Sequence, residues 1–174
     1  MLMVLCGRAQ QLHSLRLWGV DEGLPDRNVH SLAEDKNGFM WLGTEKGLIR
    51  FDGRNFVPFS LVDTGNPLAS AAIYEMRYQA PYLWVGTDAG LFVLNTISYK
   101  VTQIFLPIAG NLVNIRSIRV IHKLRNQKLA IGASGGKMWI AASPDNIIQV
   151  YFPGGTEEIT SINDDERNNI WITT

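Results

Sequence analysis

No apolar run in the chain approaches the ~20 residues that a helix needs to cross a bilayer, and only one cysteine, Cys6, is present. A membrane-spanning helix is therefore not expected in this stretch. An intrachain disulfide is impossible, and the cysteine count leaves the compartment open. Charge of one sign is not in excess either, since 16 Lys plus Arg stand against 16 Asp plus Glu. That balance gives no electrostatic reason to expect direct nucleic-acid binding or an acidic membrane as partner. Histidines are few. His13, His30 and His122 lie far apart, without H-x-x-x-H spacing or cysteine neighbours, so neither a metal nor a cofactor is expected. A glycine-rich phosphate loop and a G-x-S-x-G elbow are missing as well. The acidic pairs Glu34-Asp35 and Asp164-Asp165 sit where strands run into turns. Nothing brings two carboxyls to glycosidase distance, so no catalytic residue is expected.

What the chain does contain is apolar material and turns: 46% of residues are hydrophobic and 16 are glycine. That is globular composition, with enough apolar surface for a core. The first nine residues, MLMVLCGRA, put an apolar run ahead of Gly7-Arg8-Ala9, with small residues at the −3 and −1 positions of a cut before Gln10. This reads as the tail of a secretory signal peptide. Leu5 stands where a small residue would precede a lipidated cysteine, so Cys6 is a poor candidate for an anchor.

The chain also repeats itself. Trp41 opens W-L-G-T-E-K-G-L and Trp84, 43 residues later, opens W-V-G-T-D-A-G-L, identical at five of eight positions. Trp171 opens W-I-T-T, and the residues before it align without a gap on those before Trp41, with Ser161 matching Ser31 and Asp165 matching Asp35. Between them, near residue 130, Ala130 takes the tryptophan's place in a degenerate copy. The repeat positions are Asp35, Gly38, Trp41, Gly43, Thr44 and Gly47, then Trp84, Gly86, Thr87 and Gly90, then Trp171.

Each unit resolves into four short strands. In the first, strands are predicted over Asn28–Glu34, Phe39–Thr44, Leu48–Phe51 and Phe56–Phe59. The turn Asp35-Lys36-Asn37-Gly38 wants positive φ at Gly38, as its counterpart does at Asn168. Glu45-Lys46-Gly47 reads as a tight hairpin. Four strands in roughly 40 to 50 residues is the arithmetic of a β-propeller blade. The fold class is therefore all-β: four-stranded antiparallel blades, about three and a half of them, in an incomplete propeller over residues 10–174. The units fall at about 23–60, 61–105, 106–152 and 153–174, and the chain is expected to be a fragment of a longer protein. Trp41 and Gly43 share a strand face, one a large apolar plate and the other a gap for the adjoining blade. Sugar stacking by Trp41, Trp84 and Trp171 is the weaker alternative, because mid-blade aromatics ordinarily pack.

Residues 23–53, GLPDRNVHSLAEDKNGFMWLGTEKGLIRFDG, resemble the two-component regulator propeller repeat. The family's phrases occur in order: Asp21-Glu22-Gly23-Leu24-Pro25, then Asn28 and Val29. Asp35, Gly38, Trp41, Gly43 and Thr44 follow, and then Gly47, Leu48, Arg50, Phe51, Asp52 and Gly53. The match is strong in the first unit, good in the second, degenerate in the third and cut off in the fourth. The resemblance implies the periplasmic sensor region of a hybrid two-component protein, of the kind common in gut Bacteroidetes. Further blades, a membrane helix and a histidine kinase would lie in the same polypeptide, which would act as a homodimer. It also implies control by oligosaccharide ligands. The matched residues are architectural, so they carry the role and no ligand contacts. The rival readings are a non-sensory interaction scaffold and, behind it, a polysaccharide-acting propeller enzyme.

Blade order indicates which loops could bind. Connections between units, Ser60 to Ser70 and Leu106 to Leu112, share one end of the blades with the hairpins at Glu45-Lys46, Asp88-Ala89 and Ser134-Gly135. Arg27 and Asn28 enter at that end. Arg116, Arg119, His122, Lys123 and Arg125 form a basic run without an acid, which could meet an anionic sugar or be a solvated edge. The candidate ligand-binding residues are Arg27, Asn28, Arg116 and Arg119.

Overall fold

The computed structural model describes residues 16–59, 67–150 and 156–174. The signal-like residues 1–9, with Cys6, and His13 lie outside that set, as does 60–66 of the first inter-unit connection.

Gly, Asn and Asp punctuation sets the strands. In the first unit β1 (Val29–Glu34), β2 (Met40–Thr44), β3 (Gly47–Phe51) and β4 (Phe56–Pro58) pair antiparallel in chain order. Every predicted boundary there holds to within one residue. The second sheet is β5 (Ile73–Gln79), β6 (Tyr82–Thr87), β7 (Gly90–Asn95) and β8 (Val101–Ile104). Where an irregular connection was predicted from Leu106 to Leu112, a small ribbon forms instead, β9 (Leu106–Ile108) against β10 (Asn111–Val113). Its two-residue turn has φ of 47° at Ala109 and 85° at Gly110, the backbone signs that match hairpin twist. The third sheet holds β11 (Ile118–Lys123), β12 (Leu129–Ala133), β13 (Lys137–Ser143) and β14 (Asn146–Val150), and β15 (Ser161–Asp164) with β16 (Ile170–Thr173) begins a fourth.

Four-stranded sheets stacked in succession are propeller blades, and the repeated residues make the stacking possible. Trp41 and Leu48 of the first blade lie in one buried cluster with Ile73, Met76 and Leu83 of the second. Trp84 and Leu91 turn the same way toward Ile118, Ile121 and Leu129 of the third. Each fully buried large side chain of this kind is worth roughly 1.5–3 kcal/mol. The glycine two residues after the tryptophan is where the next blade presses in. A Cβ on Gly43 would stand 2.5 Å from Ile73 Cγ2, and one on Gly86 would stand 2.5 Å from the Ile118 carbonyl oxygen. In the third blade Ala130 is buried against the half-blade's Ile159 and Ile162. The large ring there comes from Trp139 on the opposite face, whose Nε1 donates to the Pro107 carbonyl at 2.9 Å.

The outer faces of the stack are less covered. On the first blade Leu32 is 56% exposed, and Trp18 rests edge-on against Phe51 with centroids 4.8 Å apart. At the other end Trp171 is 64% exposed.

Candidate functional site at the axial mouth

The first strand of each sheet forms the inner wall: β1 packs beside β5, β5 beside β11, and β11 beside β15. In all three complete blades the pairing of this strand slips at the same place. The register shift falls between Val29 and Ser31, between Ile73 and Glu75, and between Ile118 and Val120. Two residues then face one on the neighbouring strand, a β-bulge that re-aims a side chain. The residues inserted are His30, Tyr74 and Arg119. Thr160, just ahead of β15, stands in the same relation to Ile162 as Tyr74 does to Met76.

These four residues come together. With Glu158 they line an open hollow of about 370 Å³ at the end of the wall where the strands begin. Arg119 lies over the Tyr74 ring, its guanidinium carbon 4.3 Å from the centroid, and its Nε meets Glu158 Oε1 at 2.6 Å. His30 Nε2 is 3.6 Å from Glu45 Oε1, on the β2–β3 hairpin. Asn28 reaches the same hairpin, its Nδ2 donating to Glu45 Oε2 at 3.4 Å.

Below the mouth the wall stays polar. A second hollow of about 280 Å³ is lined by Glu75, Arg77, His122 and Asn163, among others, with Arg119 and Thr160 shared between the two. Ser31 Oγ donates to Glu75 Oε1 at 3.2 Å and accepts from the Met76 amide at 2.9 Å, tying the first blade to the second. Arg77 Nη1 lies 2.6 Å from Glu75 Oε1, and His122 Nε2 lies 3.3 Å from Asp164 Oδ1. The Arg125 amide, foremost, and then His122 hold the Asp164 carboxyl below the usual carboxylate range. All four close contacts between a basic side chain and a carboxylate among the described residues involve these inner strands: His30–Glu45, Arg77–Glu75, Arg119–Glu158 and His122–Asp164.

Of the residues singled out from the sequence, Arg119 lies in the mouth and Asn28 at its rim. Arg27 and Arg116 are exposed in the leads into β1 and β11 and line neither hollow. The basic run is split by its surroundings: Arg119 pairs with Glu158, while His122 and Arg125 both engage Asp164. Among the described residues no group of three or more His, Cys, Asp or Glu could hold a metal ion, and no helix is long and apolar enough to cross a membrane. Sequence reasoning missed His30, Tyr74, Glu158 and Thr160.

Residues 23–46 match the two component regulator propeller family. Most of the chain shares its fold with solved structures. One is the extracellular domain of BT4673 from B. thetaiotaomicron, assigned to a one component system, at 21% identity and TM-score 0.65 over 87% of this chain. Another is the extracellular domain of BT3049 from the same organism, assigned to a hybrid two component system, at 19% identity and TM-score 0.53 over 90% of this chain. The virginiamycin B lyase of Staphylococcus aureus, solved with quinupristin, aligns over 86% of the chain at 15% identity and TM-score 0.61. The chain spans 20%, 29% and 50% of those three structures respectively. No curated protein matches it.

Proposed function

We propose that this chain is part of the periplasmic sensor propeller of a two-component system and that its axial mouth takes an oligosaccharide. The two component regulator propeller repeat at residues 23–46 carries the reading. The fold shared with two extracellular domains of B. thetaiotaomicron systems adds support for an extracytoplasmic location. Signalling works by population shift: ligand in the mouth favours one arrangement of a homodimeric propeller region, and a histidine kinase in the same polypeptide responds. A rigid stack of blades suits this role, because bulged strands and loops can vary over a fixed scaffold. The bulge residues, with Asn28 at the rim, are the proposed contacts. Arg27 and Arg116, exposed on the leads into β1 and β11, would meet only a longer chain that overhangs the mouth.

The test is autophosphorylation of the intact polypeptide in membrane vesicles, with a panel of oligosaccharides added to the periplasmic side. At least one sugar is expected to change the rate in a saturable way. A panel that neither binds nor alters the rate would sink the sensor reading.

A further inference from the structure

Resting on that reading, we infer that the axial mouth selects an uncharged, polyhydroxylated ligand over an acidic one. The argument starts from the charge inventory of the wall. Each basic side chain that the bulges and inner strands bring to the two hollows already has a carboxylate beside it. Arg119 is held by Glu158 at 2.6 Å, and Glu45 lies 3.6 Å from His30, with the two carboxylates 41% and 56% exposed. A ligand carboxylate or sulfate entering the mouth would have to displace Glu158 from Arg119 and then share a small space with it. Like charges that close repel, and among the described residues nothing in the mouth supplies a spare cation to offset them.

A hydroxyl meets no such obstacle, because it both donates and accepts. The mouth offers donors and acceptors side by side: the terminal guanidinium nitrogens of Arg119 beside the Glu158 carboxylate, and the imidazole of His30 beside Glu45. A guanidinium has five N–H donors, and the Glu158 contact uses one of them. Tyr74 and the guanidinium stacked on it form a rigid flat wall for the apolar face of a sugar ring. The volume of about 370 Å³ suits one or two sugar rings, not a long chain.

The experiment is isothermal titration of the intact protein with two matched sets of hexasaccharides. The neutral set is malto-, cello-, xylo- and manno-oligosaccharide, and the acidic set is oligogalacturonate and a chondroitin sulfate oligosaccharide. Expected is saturable binding of at least one neutral sugar, weakened about tenfold or more by Tyr74→Ala and by Arg119→Ala and retained in Tyr74→Phe. Glu158→Gln, which leaves Arg119 without its counter-charge, is expected to raise affinity for the acidic set. Circular dichroism of each variant separates lost binding from lost folding, and the exposed Glu158→Gln gives a gain of binding that misfolding cannot produce. Preferential binding of an acidic sugar by the unmodified protein, lost in Arg119→Ala, overturns this inference and leaves the sensor reading standing. So does neutral-sugar binding indifferent to both alanine variants. Failure of every saccharide to bind overturns both.

Discussion

Asp35 Oδ2 accepts a 2.9 Å hydrogen bond from Nε1 of Trp41, and both residues are buried. The other carboxylate oxygen, Oδ1, accepts from the amides of Asn37 at 2.8 Å and Phe39 at 3.2 Å. One carboxylate thus closes the β1–β2 turn and anchors the tryptophan plate that the next blade packs against. Asp165 does the same for Trp171, at 3.2 Å, in the half-blade. Replacing Asp35 by alanine removes an acceptor from three N–H groups at once. The expected loss is about 3 kcal/mol, given ~1.5–3 kcal/mol for hydrogen bonds to a charged group. Asp35→Asn keeps one acceptor oxygen and should lose about half as much. Urea unfolding of the two variants checks the order, and equal losses would count against the anchoring role.

The second blade lacks this anchor. Gln79 occupies the position of Asp35 and sends its Nε2 to the Gln127 carbonyl at 2.7 Å, leaving Trp84 Nε1 buried without a partner. A buried unpaired donor costs roughly 1–3 kcal/mol. Trp84→Phe removes that donor as well as ring area, so the two effects oppose each other and the net change should be under about 1 kcal/mol. Trp41→Phe removes ring area and a satisfied donor while stranding Asp35 Oδ2, and should cost about 2–3 kcal/mol. Comparable losses at both positions, measured by the same unfolding assay, would show that the polar term is not what separates them.

Gly43 and Gly86 offer a second contrast between equivalent positions. Gly43→Ala drives its methyl against a side chain, Ile73 Cγ2, whereas Gly86→Ala strikes the Ile118 backbone carbonyl. Overpacking of this kind costs typically 1–3 kcal/mol. In a double-mutant cycle, Ile73→Ala should recover about 1 kcal/mol or more of the Gly43→Ala loss. Ile118→Ala should recover little of the Gly86→Ala loss, because the obstructing oxygen remains. Equal recovery in both cycles would mean that the blades shift apart instead of yielding locally.

Blade architecture was legible because its devices are written in residue identity. Tryptophan, the glycine two residues on and the aspartate six residues back each have one physical job, and each recurs in at least one later unit: Trp84 and Trp171, Gly86, and Asp165. The mouth was harder to see, because its residues share a position and not a chemistry: His30, Tyr74, Arg119 and Thr160 have no type in common. The signal lay in spacing. Val29 and Leu32, Ile73 and Met76, and Ile118 and Ile121 are each three residues apart on one strand, yet each pair faces the same apolar side. Strict alternation would put such residues on opposite faces, so the odd interval marks an extra residue and therefore a bulge. Arg119 was found for another reason, as part of a basic run. The carboxylates that neutralise that run, Glu158 and Asp164, come from a later unit and are invisible to local charge counting.

Acid should loosen the half-blade in a defined window. The Asn169 side chain and amide, helped by Trp171 and the Arg167 amide, pull the Asp165 carboxyl from 3.8 to about 2. The folded form therefore binds its proton more weakly than the unfolded chain does. Asp165 contributes stability that is fully present above about pH 4 and is lost as pH falls through about 2. Trp171 reports the event directly, because its exposed indole donates to Asp165 Oδ2. In an NMR titration at low temperature the Trp171 indole N–H resonance should move with a midpoint near 2, and Asp165→Asn should abolish the movement. A midpoint near 4 would mean that the carboxylate is not held by these four groups in solution. Trp171→Ala is expected to cost under about 1 kcal/mol, against roughly 3–5 kcal/mol for the buried Trp41→Ala. The two residues share one motif, so the difference reflects the burial of Trp41 against the second blade.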